Sequence, residues 1–223
     1  YIPSKEIRNL RNIMRQRKTI VKGKTQIKNK IHACLNMNGI QLPYATLCNK
    51  AIEWVMSETK EMTIKTIIVS YVNILDQYEH ELKFIDEKIE EIADKNKQTI
   101  LLMTIPGIGS IRALEIFSEI ADISRFENSD KLCSYAGLVP GVKKSGTTSK
   151  IGRMIKQSNK NLKYVFIEAS WNVIRIKEDN SFRDFYVKLS KKKGKQKAIC
   201  AVARKLCCAV YAMLVKNQEF MLL

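Results

Sequence analysis

Apolar residues recur every three or four positions along most of the chain, which is the period of an amphipathic α-helix. The clearest case covers residues 68–92, where the steps of three and four alternate without a gap. Acidic residues surround this seam, so the pattern predicts a coiled-coil helix. Either a second copy of the chain or an antiparallel helix of the same chain would cover it. The seam consists of Ile68, Tyr71, Leu75, Tyr78, Leu82, Ile85, Ile89 and Ile92.

A second long helix is predicted over residues 3–35, with Ser4 near its start and Gly39 just beyond its end. Its apolar stripe is broken where Arg17 and Lys24 occupy the expected apolar places. The stripe consists of Ile13, Ile20, Ile27, Ile31 and Cys34.

Shorter helical patterns follow, and they are separated by glycine and proline. Helices are predicted over residues 44–57, with Trp54 buried, and over residues 130–136, ending at Gly137. Further helices are predicted over residues 161–175, 181–190 and 198–216. The last of these is the most apolar stretch, but Arg204 and Lys205 interrupt it, so it reads as a buried core helix and not as a membrane span.

Together the patterns predict an all-α protein in two parts. Residues 1–97 would hold a basic N-terminal helix and the long coiled-coil helix. Residues 98–223 would form a compact helical domain containing a turn of the helix-hairpin-helix kind.

The charge is high and unevenly distributed. The net charge is +17, and residues 1–36 hold ten Lys or Arg against the single acid Glu6, whereas residues 76–97 hold eight acids against four bases. Local basic surfaces of this kind indicate a polyanionic partner. Five cations of the first helix lie at three- and four-residue steps and should form a ridge for the phosphates of DNA or RNA. They are Arg8, Arg11, Arg15, Lys18 and Lys22.

Metal chemistry is not indicated by this sequence. The six cysteines form no CxxC pair, and only two histidines are present. No residue is therefore expected to bind a metal, and the thiols are expected to be reduced.

A turn is predicted at residues 105–110, Ile-Pro-Gly-Ile-Gly-Ser. Pro106 stops the preceding helix, Gly107 and Gly109 permit a tight turn, and Ser110 is a plausible N-cap of the next helix. Amide groups at such a helix start bind anions. The segment resembles the helix-hairpin-helix DNA-binding motif; the alternative is a turn whose glycines serve packing only.

A basic stretch without acids covers residues 141–161, with Ser145 and Gly146 in its middle. It is expected to be a flexible loop in which the serine hydroxyl meets a phosphodiester held by the cations. The alternative, which spacing alone favours, is a solvated loop in which Ser145 makes a turn hydrogen bond. The cations are Lys143, Lys144, Lys150, Arg153, Lys156 and Lys160.

A third basic run, residues 191–197, precedes the core helix. Its lysines would lie where the helix dipole disfavours cations. Bound phosphate would offset this conflict, so Lys192 and Lys195 are predicted to contact DNA or RNA.

Several motifs in this order resemble the C-terminal domain of insertion-sequence transposases of the DEDD, Piv-invertase-like type. They cover about half the chain, and residues 1–35 also resemble the family. The motifs are PGIG (106–109), IADISRF (120–126), YAGLVP (135–140), KSG (144–146), IGRMIKQSNKNL (151–162) and KKGKQKAICAVARKL (192–206).

The resemblance implies a DNA transposase whose serine attacks DNA, and this serine falls on Ser145. It also implies an upstream resolvase-like domain whose four carboxylates bind Mg²⁺, a coiled coil that joins protomers, and in many members a structured guide RNA. Because residue 1 is not Met and that domain would lie upstream, we expect a truncated piece, either an excised fragment or a decayed copy, that is inactive alone. A prokaryotic, cytoplasmic, nucleoid-associated protein is expected. The alternative class is a non-catalytic DNA- or RNA-binding module of helix-hairpin-helix type.

Overall fold

The computed structural model describes residues 1–44, 47–145, 148–155, 157–176 and 180–220. Within these ranges the chain forms nine α-helices, one short 3₁₀ helix and one β-hairpin. The all-α class is therefore confirmed. The chain divides into two compact units, one of residues Asn12–Lys88 and one of Tyr1–Arg11 with Ile89–Leu223. The boundary at residues 97 and 98 remains a prediction.

Three helices contribute to the unit of residues Asn12–Lys88. They are α1 (Lys5–Met37) from Asn12 onward, α2 (Asn49–Glu58), and α3 (Met62–Lys95) as far as Lys88. The α1 helix begins as predicted, since the Ser4 hydroxyl accepts a hydrogen bond from the Ile7 amide. A shared core brings together side chains of all three helices and of the segment before α2. These are Ile27, Ile31, Leu35, Leu47, Val55, Ile64, Ile68 and Leu75.

The seam of α3 is covered by α1 of the same chain. Arg17 pairs with Asp86, and Lys24, further along α1, pairs with Glu79, which lies earlier in α3. The two helices are therefore antiparallel. The two cations that interrupt the apolar stripe of α1 are the residues that form these ion pairs. Of the two pairings left open by the sequence, the structure has the internal one, and a contact between protomers remains a prediction.

The α2 helix is shorter than predicted, and the prediction that Trp54 is buried was wrong. The helix starts at Asn49 and not at residue 44. Ala51 and Val55 face the core, whereas Trp54 is half-buried against its edge.

The second unit is a helical domain around its last helix. It contains α4 (Lys97–Met103), α5 (Ser110–Ile120), a 3₁₀ helix (Ile123–Arg125), α6 (Ser129–Tyr135), strands β1 (Pro140–Ser145) and β2 (Thr148–Met154), α7 (Lys160–Val173), α8 (Ser181–Lys193) and α9 (Lys195–Lys216). The α9 helix packs against α4, α6, α7 and α8.

The predicted core role of α9 agrees with its packing. Among the described residues it is the one helix long and apolar enough to cross a membrane, yet half of its most apolar window is buried inside the protein. Ala198, Val202 and Leu206 on its inward side are fully buried. Such a composition is therefore accounted for by the core of the domain.

The expectation of a flexible loop at residues 141–161 was wrong. Antiparallel strands β1 and β2 occupy most of it. Ile155 N–H donates to the Val139 carbonyl at 3.3 Å, and this bond closes the base of the hairpin. The two strand sequences contain few apolar residues and no regular apolar alternation, which is the pattern that identifies a strand, and this explains the miss.

Candidate nucleic-acid interface

The turn between α4 and α5 covers residues 104–109, one position earlier than the predicted residues 105–110. Ile105 and Ile108 are buried and fix the turn to the core, whereas Gly107 and Gly109 are exposed. Gly107 has φ +81°, and a Cβ there would lie 3.1 Å from Asn172 Cβ. The Asn172 amide also donates to the Gly107 carbonyl at 3.2 Å. The backbone conformation therefore favours glycine at this position, and an added Cβ would also be a tight contact with Asn172.

Gly109 has a different role. It is the N-cap of α5 in an extended conformation, and a Cβ there would meet no atom within 4 Å. Ser110 was predicted as the N-cap, but it is the first residue of the helix, so this assignment was wrong by one position. No side chain caps the α5 amides. The helix thus begins with open space above Gly109 and with amides that lack intrahelical partners.

Most neighbouring helices in this unit have their first amides occupied. Asparagine side chains at the N-caps accept hydrogen bonds from helix amides at the starts of α4, α6, α7 and α8. The start of α5 differs because glycine replaces asparagine there. Its positive end remains accessible to an anion.

Ser145 lies at the end of the hairpin ladder. Its Cα pairs with that of Thr148, and these are the last paired residues of β1 and the first of β2. Lys143 and Lys150 occupy directly opposed positions, and Lys144 is opposite Ser149.

Of the other residues predicted for this site, one lies in a described strand and two lie outside the described residues. Arg153 belongs to β2. Gly146 and Lys156 lie outside the described residues.

The hairpin emerges directly after α6, and Gly137 makes this exit possible. Gly137 has φ +69° and ends α6 as predicted, with its amide donating to Ser134 and the Leu138 amide donating to Cys133. A Cβ at Gly137 would lie 2.3 Å from Ser158 Oγ, which is closer than atoms can approach. Only glycine fits this position without a shift of the chain after β2.

A buried polar network lies at the base of the hairpin, and the sequence did not reveal it. Glu119 at the end of α5 is only 5% exposed. Its carboxylate accepts from the Asn159 amide at 2.7 Å and from the Asn161 amide at 3.2 Å. Arg11 approaches the same carboxylate at 3.7 Å, and its guanidinium also donates to the carbonyls of Ser118 and Glu119. These carbonyls belong to the last turn of α5, where a cation is favoured.

Tyr135 connects this network to an aromatic cluster. Its hydroxyl accepts a hydrogen bond from the Asn159 amide at 3.1 Å. The Arg125 guanidinium lies 4.5 Å from the Tyr135 ring and 4.4 Å from the Phe126 ring. Burial alone would raise the pKa of the Tyr135 hydroxyl, but the neighbouring Arg125 guanidinium, the hydrogen bond from Asn159 and the charge of Arg11 together lower the pKa. The segments IADISRF, YAGLVP and SNKN therefore meet in one network.

Burial changes the interpretation of the cationic ridge on α1. Arg8, Arg15 and Lys22 are exposed. Arg11 is not part of an exposed ridge, because its side chain is 14% exposed and engages Glu119. Lys18 is half-buried and has an interaction of its own. The remaining exposed residues recur every seven positions and share one helix face.

The lysines of the third basic run belong to two helices. Lys192 lies in the last turn of α8, where the helix dipole favours cations. The prediction that Lys192 lies at an unfavourable helix start was therefore wrong. Lys195 lies in the first turn of α9, where that argument holds, and no side chain caps this helix. Both lysines are exposed.

A metal site is not indicated in the part of the chain that the structure describes. No group of three or more His, Cys, Asp or Glu residues there has the arrangement of a metal site. Cys133 and Cys208 have sulfur atoms 3.6 Å apart, but the neighbouring Cys207 thiol and burial raise the pKa of Cys133 to about 12. Such thiols are poor nucleophiles and poor metal ligands at neutral pH.

Comparison with known proteins gives a family match over part of the chain. Residues 100–187 match the model of the Transposase IS116/IS110/IS902 family. The matched segment is similar to a transposase domain of that family. It runs from within α4 into α8, so it includes the α4–α5 turn, the hairpin, and Glu119, Tyr135 and Asn159.

Curated relatives agree with this assignment and are longer than the chain. The transposase for insertion sequence element IS1111A of Coxiella burnetii is 23% identical over 96% of this chain and 61% of its own length. The transposase for insertion sequence element IS1328 of Yersinia enterocolitica is 26% identical over 70% of this chain and 47% of its own length. The pilin gene-inverting protein of Moraxella bovis is 32% identical over 56% of this chain and 39% of its own length. The chain thus spans less than two thirds of each.

Proposed function

We propose that this chain is the C-terminal part of a DNA transposase in which Ser145 attacks a DNA phosphodiester. The observation that carries the proposal is the family match over residues 100–187, which contains Ser145. The relatives named as insertion-sequence transposases and as a gene-inverting protein support DNA recombination as the reaction. A cytoplasmic, nucleoid-associated location belongs to the same proposal.

The chemistry proposed for Ser145 is an exchange of phosphate esters. The Ser145 oxygen forms a bond to phosphorus, the bond from phosphorus to a sugar oxygen breaks, and the proton of the serine passes to solvent or to a base. The hydroxyl of another strand then attacks the phosphoserine and releases the serine. The phosphate ester is conserved at each step, so no oxidant or energy source is required.

An unassisted serine hydroxyl is a weak nucleophile. The family resemblance places the assisting Mg²⁺ on carboxylates of an upstream domain. The described residues offer no ligand cluster for that ion. We expect this chain alone to cut DNA poorly or not at all.

The hairpin backbone is suited to hold a phosphate near Ser145. Lys143 and Lys150 occupy opposed positions in the ladder. Like charges at opposed positions destabilise a two-stranded ladder, and a phosphate bound beside them would offset this repulsion. Lys144 and Arg153 lie in the same two strands and, with Lys156 and Gly146, complete the proposed phosphate site.

The other DNA contacts are proposed where the described backbone or cations are open. The α5 start at Gly109 and Ser110 would bind one phosphate through amides, as in a helix-hairpin-helix turn, with Gly107 holding the turn. Lys192 and Lys195 would contact a second stretch of DNA or RNA.

The exposed face of α1 with Arg8, Arg15 and Lys22 is proposed for a structured guide RNA or for DNA. A homo-oligomer is also proposed. Since α1 covers the α3 seam, its contact would use another surface.

The test is a recombination assay with the chain joined to an upstream carboxylate domain. Ser145→Ala should abolish recombination while DNA affinity stays within about twofold of the parent, because only the nucleophile is lost. Ser149→Ala, on the opposing strand, is the matched control and should retain activity. Full recombination by Ser145→Ala would refute the serine mechanism and favour a DNA- or RNA-binding module of helix-hairpin-helix type.

A further inference from the structure

Asn159 makes an unusual number of hydrogen bonds for one residue. Its amide side chain donates to Glu119 at 2.7 Å and to the Tyr135 hydroxyl at 3.1 Å. Its side-chain oxygen accepts from the Leu162 amide at 3.0 Å, which caps α7. Its backbone N–H donates to the Tyr135 carbonyl at 2.8 Å. One residue thus joins the end of α5, the end of α6 and the start of α7.

The position of Asn159 in the chain gives these bonds a consequence for the hairpin. The chain remains buried from the end of α6 through Leu138, enters β1 at Pro140, and comes back to Tyr135 at Asn159 before α7. The Tyr135 and Asn159 bonds therefore tie together the two segments that lead into and out of the hairpin. A two-stranded hairpin is marginally stable by itself, so its orientation depends on how its base is held.

Glu119 is the fixed point of this arrangement. Its carboxylate is buried, and a buried carboxylate is costly unless it is paired and hydrogen-bonded. Arg11 supplies the charge, while Asn159 and Asn161 donate the hydrogen bonds. Helical packing alone does not require such a group at this position. An apolar residue at 119 would pack more cheaply but would offer Asn159 no acceptor.

We propose that Asn159 is a positioning residue for the recombination reaction, and that its hydrogen bond to Glu119 sets the orientation of the hairpin that carries Ser145. The effect of this orientation on recombination rests on the proposed function, in which Ser145 is the nucleophile. The anchoring of the hairpin can be measured independently of any DNA chemistry.

The decisive variant is Asn159→Asp. Aspartate retains the acceptor that caps α7, but it lacks the amide donor and places a carboxylate against Glu119. Asn128→Asp is the matched control, because Asn128 caps α6 through Lys131 N–H in the same way but is exposed. The double variant Asn159→Asp with Glu119→Gln reverses the direction of the hydrogen bond and conserves the charge of the network.

Two readouts separate positioning from folding. The first is amide hydrogen exchange of residues 140–155, measured on the present chain. Asn159→Asp should speed exchange in the hairpin at least about tenfold while the α9 amides keep their protection. The second is the rate of protein–DNA adduct formation at saturating DNA in the protein with its upstream domain. This rate should fall at least about tenfold, since small misplacement of a reacting group costs up to about a hundredfold.

The double variant should return both quantities to within about fivefold of the parent, and Asn128→Asp should change neither. Parental exchange and adduct rates in Asn159→Asp would overturn the proposal. So would a double variant that folds yet shows no recovery. If Ser145→Ala still forms the adduct, the proposed function fails, whereas the hydrogen-exchange result still decides whether Asn159 anchors the hairpin.

Discussion

The start of α5 allows the stability of a helix to be separated from its binding of DNA. Gly109 is an N-cap with φ −90° and ψ 179°, and space for a side chain is open there. Aspartate fits this conformation and accepts hydrogen bonds from the first amides of a helix. Gly109→Asp should therefore raise the free energy of unfolding by a few tenths to about 1 kcal/mol, through the cap and the favourable helix dipole.

The same substitution should weaken DNA binding. The new carboxylate would occupy the amides that we propose for a phosphate. A charge-assisted hydrogen bond is worth about 1.5–3 kcal/mol, so affinity should fall roughly tenfold to a hundredfold. Repulsion between the carboxylate and DNA adds to the loss at low salt.

Urea unfolding and fluorescence anisotropy with a labelled duplex, at several salt concentrations, measure the two effects. Gly109→Asn is the matched control, because it caps the helix without a charge and separates occupation of the amides from repulsion. A Gly109→Asp protein that is more stable but binds DNA with parental affinity and salt dependence would show that the turn is only a connection between helices.

Three further predictions concern stability. Gly137→Ala should lower the free energy of unfolding by at least about 2 kcal/mol, from positive φ and the collision with Ser158. Gly39→Ala, with the same φ of +69° and open space for the added Cβ, should cost about 1 kcal/mol, and equal losses in urea unfolding would contradict the packing argument. Asp86→Asn should cost about 1 kcal/mol, because the carboxylate receives two hydrogen bonds from the Arg17 guanidinium, and unchanged unfolding would show that the pair is inert. The hydrogen bond from Lys24 lowers the pKa of Glu79, so this pair stabilises the protein above the unfolded pKa of about 4.5, and the stabilisation is lost as the pH falls through the lowered pKa. The difference in unfolding free energy between the parent and Glu79→Gln should be at most about 1 kcal/mol at this exposed site and should vanish in acid. A difference that stays constant with pH would refute this prediction.

Local patterns predicted the helices well because their signals lie within a few residues. The unbroken seam of α3 predicted a helix correctly, although the helix begins six residues before the seam, and the Pro-Gly-Ile-Gly turn before α5 was placed within one residue. Arg17 and Lys24, which interrupt the apolar stripe of α1, form ion pairs with α3. The sequence already shows that α1 is basic and α3 is acidic. The sequence does not show whether the partner helix comes from the same chain or from a second copy, because both kinds of pairing need the same pattern of apolar and charged residues.

The site was less predictable because its geometry depends on distant residues. Arg11 looked like one more cation of an exposed ridge, yet it contacts Glu119, 108 positions away. Asn159 lay in a recognised motif, but only the fold shows that its amide meets Glu119 and Tyr135. The hairpin was missed because its strands contain few apolar residues and no regular apolar alternation.

The most direct test of the serine mechanism is chemical identification of the covalent intermediate. The chain joined to an upstream carboxylate domain would be incubated with Mg²⁺, end-labelled DNA and any cognate RNA, then denatured, digested and analysed by mass spectrometry. We expect a nucleotide esterified to the peptide that contains Ser145, and we expect this adduct to be absent from Ser145→Ala. An adduct on another residue, or recombination products without any adduct at Ser145, would contradict it.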